Sequence, residues 1–420
     1  MERLLISNGL VIDVEPTPTA RANCDVLIED GRIAAVGTGL AADGARVVDA
    51  TDRIVLPGFV DAHRHTWQTA LRGIAADADL GEYLELVLGE IGPRYRPADV
   101  YAGTFAGARE ALASGITTLQ DFSHVQYSPA HADAAVAALR SSGIRAVFGY
   151  GAPVFGPPLD HDEVRRVHAA HFAGSDGLVT MALAPSGPSY SDLDTVRADW
   201  AVAKELGLRI FTHVGGGTRE VETLDANGLL DARLTFVHGN SLPDDELARI
   251  AAAGAAVSIA PAVEAQMGHG APMVGRLRSH GITTGLGVDV VTTVAGDMFA
   301  LMRATLLTSQ LGGGPRLGTA DVLRLATLDG AAALGLDDRV GSLRPGKQAD
   351  LVLLRASDVN LVGGHHDPIG TVVTGAHPGN VDAVFVAGRR VNVGLPAEAV
   401  AQLRASATRV TSRGRPIAAP

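Results

Sequence analysis

From about residue 58 to residue 345 the chain keeps one rhythm. Apolar, strand-like runs alternate with Ala-rich amphipathic stretches: "ITTLQDF", "AHADAAVAALRSSG" and "IRAVFGYG", and later "LVTMALAPSG", "TVRADWAVAKELG", "LRIFTHVGGG", "LTFVHGNS", "DDELARIAAAG", "AAVSIAPAV", "MVGRLRSHG" and "ITTGLGVDVV". Repeated β-α alternation means parallel strands joined by crossover helices. About eight such units fit in the span, which suits a (β/α)8 TIM barrel of about 250 residues extended by insertions. A doubly wound open sheet is the alternative. Against it, no G-x-G-x-x-G follows the first strand of a βαβ unit.

The flanks have another texture. "LLISNGLVID" and "CDVLIEDGRIAAVG" alternate apolar and polar residues and carry N-G and D-G turn signals, while "ADLVLLRA" and "VDAVFVAGRRVNVG" are strand runs with a G-R turn. Residues 1–57 and 346–420 are therefore expected to build one small β-sandwich from both termini, with 346–420 also carrying a tail. The barrel, 58–345, is inserted between them. A hydrophobic fraction of 46% against 19% charged residues fits a well-buried globular chain. The net charge of −11 and an aromatic share of 4% argue against a nucleic-acid partner. A single cysteine, Cys24, permits neither an internal disulfide nor a thiolate metal cluster, so any metal must be held by His, Asp or Glu. The opening "MERLLISNGLVID" reads as neither signal peptide nor membrane span, and no window of about 18 uninterrupted apolar residues occurs. The expectation is a soluble, cytoplasmic protein with no membrane partner.

In a TIM barrel the chemistry lies at the C-terminal ends of the strands. The polar residues ending apolar runs are His63 and His65 in "GFVDAHRHTW", Asp121 and His124 after "GITTLQ", His213 after "LRIFT", His238 after "LTFV" and Asp289 after "ITTGLGV". Residues i and i+2 of a strand point to one side, so His63 and His65 can converge on one ion. Each residue alone is weak, because a lone strand-end histidine is more often a packed, hydrogen-bonded residue than a ligand. The series as a whole is what points to a metal site.

The stretches "VLPGFVDAHRH", "THV", "LTFVHGNSLPDDELARIAAAG", "SIAPAVE", "GLGVDVV" and "LATLDGAAALGLDDRVGSLRPGKQADLVLL" run in order along nearly the whole chain. In them the chain resembles the amidohydrolase superfamily, in particular its cytosine deaminase and triazine hydrolase branch. The resemblance implies a catalytic barrel flanked by a small β-sandwich. It implies one divalent metal ion, zinc foremost and Fe2+ as the alternative, on His63, His65, His213 and Asp289. Asp289 would also shuttle the proton, and His238 would stabilise the developing oxyanion. Binuclear members carry a bridging carboxylated lysine after the fourth strand; "VTMALAPSGPSY" has none. A small-molecule substrate and a homo-oligomer are implied as well.

Deaminases of this branch commonly carry a glutamate three residues after the third metal histidine. Here that position is Gly216, within "HVGGGTREVE". Glu220 and Glu222 lie just beyond, and Glu264 and His269 in "PAVEAQMGHG" are the better-placed substitutes. Gln68 is a candidate substrate contact, and Trp67 is either a pocket wall or core. Arg64 is expected to form a structural ion pair on the opposite side of its strand end. His365, His366 and His377 are expected in a loop near the pocket or at a subunit contact. The leading function is metal-dependent hydrolysis at a C–N carbon, deaminase-like, on an N-heterocycle. With no acid at position 216, ordinary cytosine- or adenine-type deamination is expected to be slow or absent. The alternatives are a cyclic amide, lactam or imine hydrolase that needs no such acid, and a non-catalytic binding protein on the same fold.

Overall fold

Five strands open the chain: β1 (Arg3–Asp13), β2 (Thr19–Glu29), β3 (Arg32–Gly37), β4 (Arg46–Asp49) and β5 (Arg53–Pro57). Eight follow in the alternating region: β6 (Phe59–Arg64), β7 (Ile116–Ser123), β8 (Arg145–Tyr150), β9 (Val179–Leu183), β10 (Ile210–Val214), β11 (Leu234–His238), β12 (Ala256–Ile259) and β13 (Thr284–Leu286). Three more, β14 (Leu351–Arg355), β15 (Val381–Val386) and β16 (Arg389–Arg390), come near the end. The structure is a computed structural model that describes residues 2–174, 177–312 and 314–412.

Strands β6 to β13 pair in sequence order, every neighbour parallel, with helices between them. Strands such as β7 and β8 are buried at every position, because a parallel barrel strand faces packed side chains inside and a helix outside. The ring closes just past β13. Asp289 N donates to His63 O at 2.8 Å, and His65 N donates to Asp289 O at 2.9 Å. This bridge brings the end of the eighth barrel strand against the end of the first.

The second sheet has the order β16-β15-β14-β5-β1-β2-β3, with β4 also paired to β1. The two termini meet where β14 runs antiparallel to β5, from Leu351 opposite Pro57 to Arg355 opposite Arg53. A separate apolar core lies on this sheet, including Ile6, Val26, Val55, Leu351 and Phe385. The chain crosses from sheet to barrel at Gly58. A Cβ there would lie 2.1 Å from Thr117 Oγ1, so only glycine fits the crossing. Part of the C-terminal region leaves the sheet: helices span Pro368–Gly375 and Ala397–Thr411.

One turn signal reads differently in three dimensions. Asp30-Gly31 and Ala387-Gly388 turn the chain between β2 and β3 and between β15 and β16, with positive φ at both residues of each pair. Asn8-Gly9 does not end a strand. It is a bulge inside β1, with a register shift against β2 between Ile6 and Gly9. The other edge of β1 explains why the strand continues: residues 4–7 pair with β4, and residues 10–11 pair with β5. No helix among the described residues is long and apolar enough to cross a membrane.

Candidate metal centre

The strand ends named above converge at one end of the barrel. His63 lies in β6, with His65 directly after it; their rings meet edge to face, with centroids 4.7 Å apart. His213 in β10 brings its ring to 4.9 Å from His63, and His238 at the end of β11 stands 5.4 Å from His213. Barrel closure adds Asp289. Its Oδ1 lies 3.4 Å from both His63 Nε2 and His65 Nε2, and its Oδ2 lies 3.5 Å from His238 Nε2. His238 and Asp289 hold φ of 64° and 65°, in the left-handed region that non-glycine residues rarely adopt. Such strain clusters at functional sites.

Partners behind the rings fix their orientation. His65 Nδ1 lies 2.8 Å from the Phe122 carbonyl, and His63 Nδ1 lies 3.4 Å from Gln120 Oε1. Each Nδ1 therefore carries the proton, and each Nε2 offers a lone pair. Burial and the neighbouring imidazoles hold His65 and His213 well below the usual histidine range, and burial brings His124 down to about 4. These rings are neutral, the form that ligates metals. Burial acts to raise the Asp289 carboxyl, but the close His63 and His238 imidazoles outweigh it and leave it below its ordinary value. Buried His63 Nε2 has no hydrogen-bond partner, which is costly unless something else meets it. A cation fits this donor set, with ligand atoms of His63, His65 and Asp289 within 4.8 Å of one another. The same spacing holds for His63, His213 and His238, so His238 is also within reach of the cluster.

Glu264 is fully buried behind His238. Its Oε1 accepts from His238 Nδ1 at 3.1 Å and from Ala260 N at 2.7 Å, and its Oε2 accepts from Asn240 Nδ2 at 3.3 Å. Burial works to lower the His238 imidazole, but Glu264 and Asp289 together hold it above its ordinary value. His269 places its ring 4.7 Å from His238, and its buried Nε2 has no partner. Gln68 donates through Nε2 to Tyr83 Oη at 2.7 Å and leaves Oε1 buried and unpartnered. Trp67 packs edge-on to Tyr95, and its Nε1 lies 3.4 Å from His124 Nδ1, so it backs the site through His124. Asp121 accepts from the Thr66 hydroxyl and amide, and burial pushes its carboxyl up to about 6.

Other candidates fall elsewhere. Arg64 pairs with Glu110 at 2.7 Å and donates to Gly296 O at 3.1 Å, away from the histidines, as its strand position predicts. Glu220 is buried, and its carboxylate is occupied by the amides of Gly215 and Gly217 and the Ser189 hydroxyl. Glu222 pairs on the surface with Arg219 and Arg249. His365, His366 and His377 are exposed, outside the buried cluster. Sequence reasoning passed over Gln120, Tyr83 and Asn240. The first lies in the interior of β7 and the second on a helix, where neither ends an apolar run; Asn240 stood in the quoted "VHGN" with no role attached.

Residues 54–391 match the amidohydrolase family. A 5-methylthioadenosine/S-adenosylhomocysteine deaminase from Symbiobacterium thermophilum is 33% identical over 417 residues, covering 93% of this chain and 94% of its own. An adenosine deaminase from Xanthomonas campestris, solved with bound zinc, superposes with a TM-score of 0.87 at 27% identity, over 97% of this chain and 98% of its own. A triazine hydrolase variant shares the fold, with a TM-score of 0.87 at 24% identity over 97% of this chain and all of its own.

Proposed function

The chain belongs to the amidohydrolase family, and from that premise we propose that it deaminates an adenosine-type N-heterocycle by metal-dependent hydrolysis at the amidine carbon. The observation that carries this reading is the meeting of three imidazoles and one carboxylate at the end of the barrel, with a fourth imidazole alongside. His63, His65, His213 and Asp289 would hold one divalent ion, zinc foremost. That ion supplies the Lewis acidity that makes water nucleophilic near neutral pH. The segment after β9, residues 184–190, has no lysine, which supports one ion rather than a bridged pair.

The chain's own groups divide the remaining work. Asp289 turns one oxygen to His63 and His65 and the other to His238, so Oδ2 can take a proton from the attacking water and pass it to the departing amine. Glu264 fixes His238 by its Nδ1 and leaves Nε2 facing the reaction centre, where it can hold the oxygen that the attacking water brings to the amidine carbon. Glu264 thereby acts as a positioning residue. His269, with its unpartnered Nε2, and Gln68, with its unpartnered Oε1, are the polar groups left to meet the heterocycle.

The relatives' names point against the expectation of slow adenine-type deamination, and they support an adenosine-type substrate in place of a lactam or imine. The test is ammonia release from a panel of aminopurine nucleosides, aminopyrimidines, aminotriazines and cyclic amides, run with metal analysis of the purified chain. The expected result is one zinc per chain and a best substrate among 5'-modified adenosines. Turnover confined to cyclic amides, or full activity without metal, would overturn the proposal.

A further inference from the structure

His124 ends the same apolar run as Asp121, and the reaction described above leaves it without a role. It follows β7 directly and stands against the metal cluster: its ring centroid lies 4.3 Å from that of His65, with the planes tilted by 46°. After burial, it is among the neighbours that hold His65 and His213 below the usual histidine range. Strands β7 and β11 are four apart in the eight-strand ring, so His124 faces the cluster from the side opposite His238. Gly151, just after β8, makes room for it. A Cβ there would stand 3.2 Å from His124 Cβ and 2.7 Å from Ala184 O.

The hydrogen bonds behind the ring fix where its proton sits. Trp67 is 1% exposed, and its indole N–H can only donate. Its acceptor among the described residues is His124 Nδ1, at 3.4 Å. The Phe122 carbonyl lies 3.3 Å from the same nitrogen, but it already accepts from His65 Nδ1 at 2.8 Å. A proton on His124 Nδ1 would set N–H against N–H and leave the buried indole donor unmet, which is costly. Nδ1 is therefore the acceptor, and Nε2 carries the proton. Nε2 has no hydrogen-bond partner among the described residues, and the residue keeps 6% of its surface exposed. A donor of fixed polarity thus stands open beside the metal ligands.

We propose that His124 is a substrate-contacting residue: held in one tautomer by Trp67, it donates a hydrogen bond from Nε2 to an uncharged acceptor of the substrate, across the centre from His238. This rests on the deaminase reading above, in which that acceptor is a ring nitrogen of the heterocycle or an oxygen of the sugar. A fixed donor selects for a lone pair at that point and against an N–H there. It also gives buried Trp67 its task, which is to keep the ring from presenting a lone pair instead.

The first measurement is the tautomer. In full-length protein carrying isotope-labelled histidine, ring-nitrogen NMR shifts, assigned by difference from H124F, should show His124 protonated at Nε2. In W67F part of the population should move to Nδ1, because the Phe122 carbonyl is then the partner left. A wild-type ring protonated at Nδ1 would overturn the proposal. The second measurement uses zinc-loaded enzyme on the best substrate of the panel. H124F keeps an aromatic ring against His65 and should lower kcat/KM about tenfold, the size of one net hydrogen bond to a ligand, with zinc content at the wild-type level. H124Q, which keeps a donor, should recover part of the loss. Competitive inhibitors that lack one acceptor at a time, a ring nitrogen replaced by C–H or a sugar hydroxyl by hydrogen, identify the partner. The analogue without it should bind wild type about tenfold more weakly than its parent and H124F no more weakly. H124F within about twofold of wild type, equal losses for every analogue in both proteins, or loss of zinc in H124F would each overturn the proposal and leave His124 as packing for His65. If the best substrate is not adenosine-type, the reading of function falls, while the tautomer and H124F on that substrate still decide the role of His124.

Discussion

Replacing Glu264 by glutamine removes one charge and almost no volume, at a residue that is 2% exposed. If the amide oxygen takes the place of Oε1, it still accepts from Ala260 N and His238 Nδ1, now 2.7 and 3.1 Å away. The amide nitrogen then faces Asn240 Nδ2, donor against donor. Asn240 can turn over, since its Oδ1 has no partner, but it then gives up the 3.1 Å bond to Ala271 O. The structural cost is therefore about one neutral hydrogen bond, roughly 0.5–1.5 kcal/mol. The functional cost is larger. A bond to a carboxylate is about twice as strong as a neutral one, and partners that orient a site histidine typically contribute about 10–100-fold.

E264Q is thus expected to lower kcat about 10–100-fold, with KM and metal content close to wild type. H238A should lose about 10²–10³-fold in kcat, the range for a lost oxyanion donor. E264Q/H238A should be no slower than H238A, because two residues acting as one unit are not additive. Steady-state ammonia release, metal analysis and thermal melting of the four proteins measure this. An E264Q enzyme with wild-type kcat would refute the reasoning. So would a double variant much slower than H238A, which would mean that Glu264 hands its proton to the substrate directly.

Three further outcomes follow from the same geometry. Asp289→Asn should cut kcat by at least about 10²–10⁴-fold and also lower zinc occupancy, since one carboxylate both ligates and shuttles; normal turnover in a zinc-replete D289N enzyme would remove it from the mechanism. Chelation should abolish ammonia release and one equivalent of zinc per chain should restore it, whereas a requirement for two would contradict the reading of residues 184–190. Glu15→Gln leaves Lys347, 1% exposed and now 2.8 Å from that carboxylate, with a buried charge and no counter-charge. The loss should be near the low end of about 3–5 kcal/mol, because Glu15 is itself partly exposed. Burial raises the Glu15 carboxyl, but Lys347 and Ser342 outweigh it and leave it below the ordinary carboxylate range. Its contribution is therefore present above that range and lost as pH falls through the lowered value. Melting curves of E15Q should accordingly change less than those of wild type on acidification.

The barrel was legible because its signal repeats. Strands such as "ITTLQDFS" and "RAVFGY" are buried at every position, and each is followed by a capped amphipathic helix or a polar loop, so the β-α alternation survives local irregularity. The Asn8-Gly9 bulge shows the limit. An Asn-Gly pair has the same local preference in a hairpin as in a bulge, and what decides between them is the partner on the other edge. That partner, β5, follows a further three strands, and no window around Asn8 contains it.

The same physics separates what could be read of the site from what could not. His63, His65, His213, His238 and Asp289 each end an apolar run, and the barrel places every such end on one face. Their meeting follows once the ring is known to close. Their supporting groups obey no period. Gln120 is in the middle of a strand, and Glu264 is in the first turn of a short helix. Gly216 reads in the sequence as a deletion of function, an acid that is missing. In three dimensions it is half of a packing pair, because a glycine three residues past His213 is what allows the Tyr190 hydroxyl to stand there. A substitution at either position alone therefore tests steric fit as much as chemistry, and only the pair changed together separates the two.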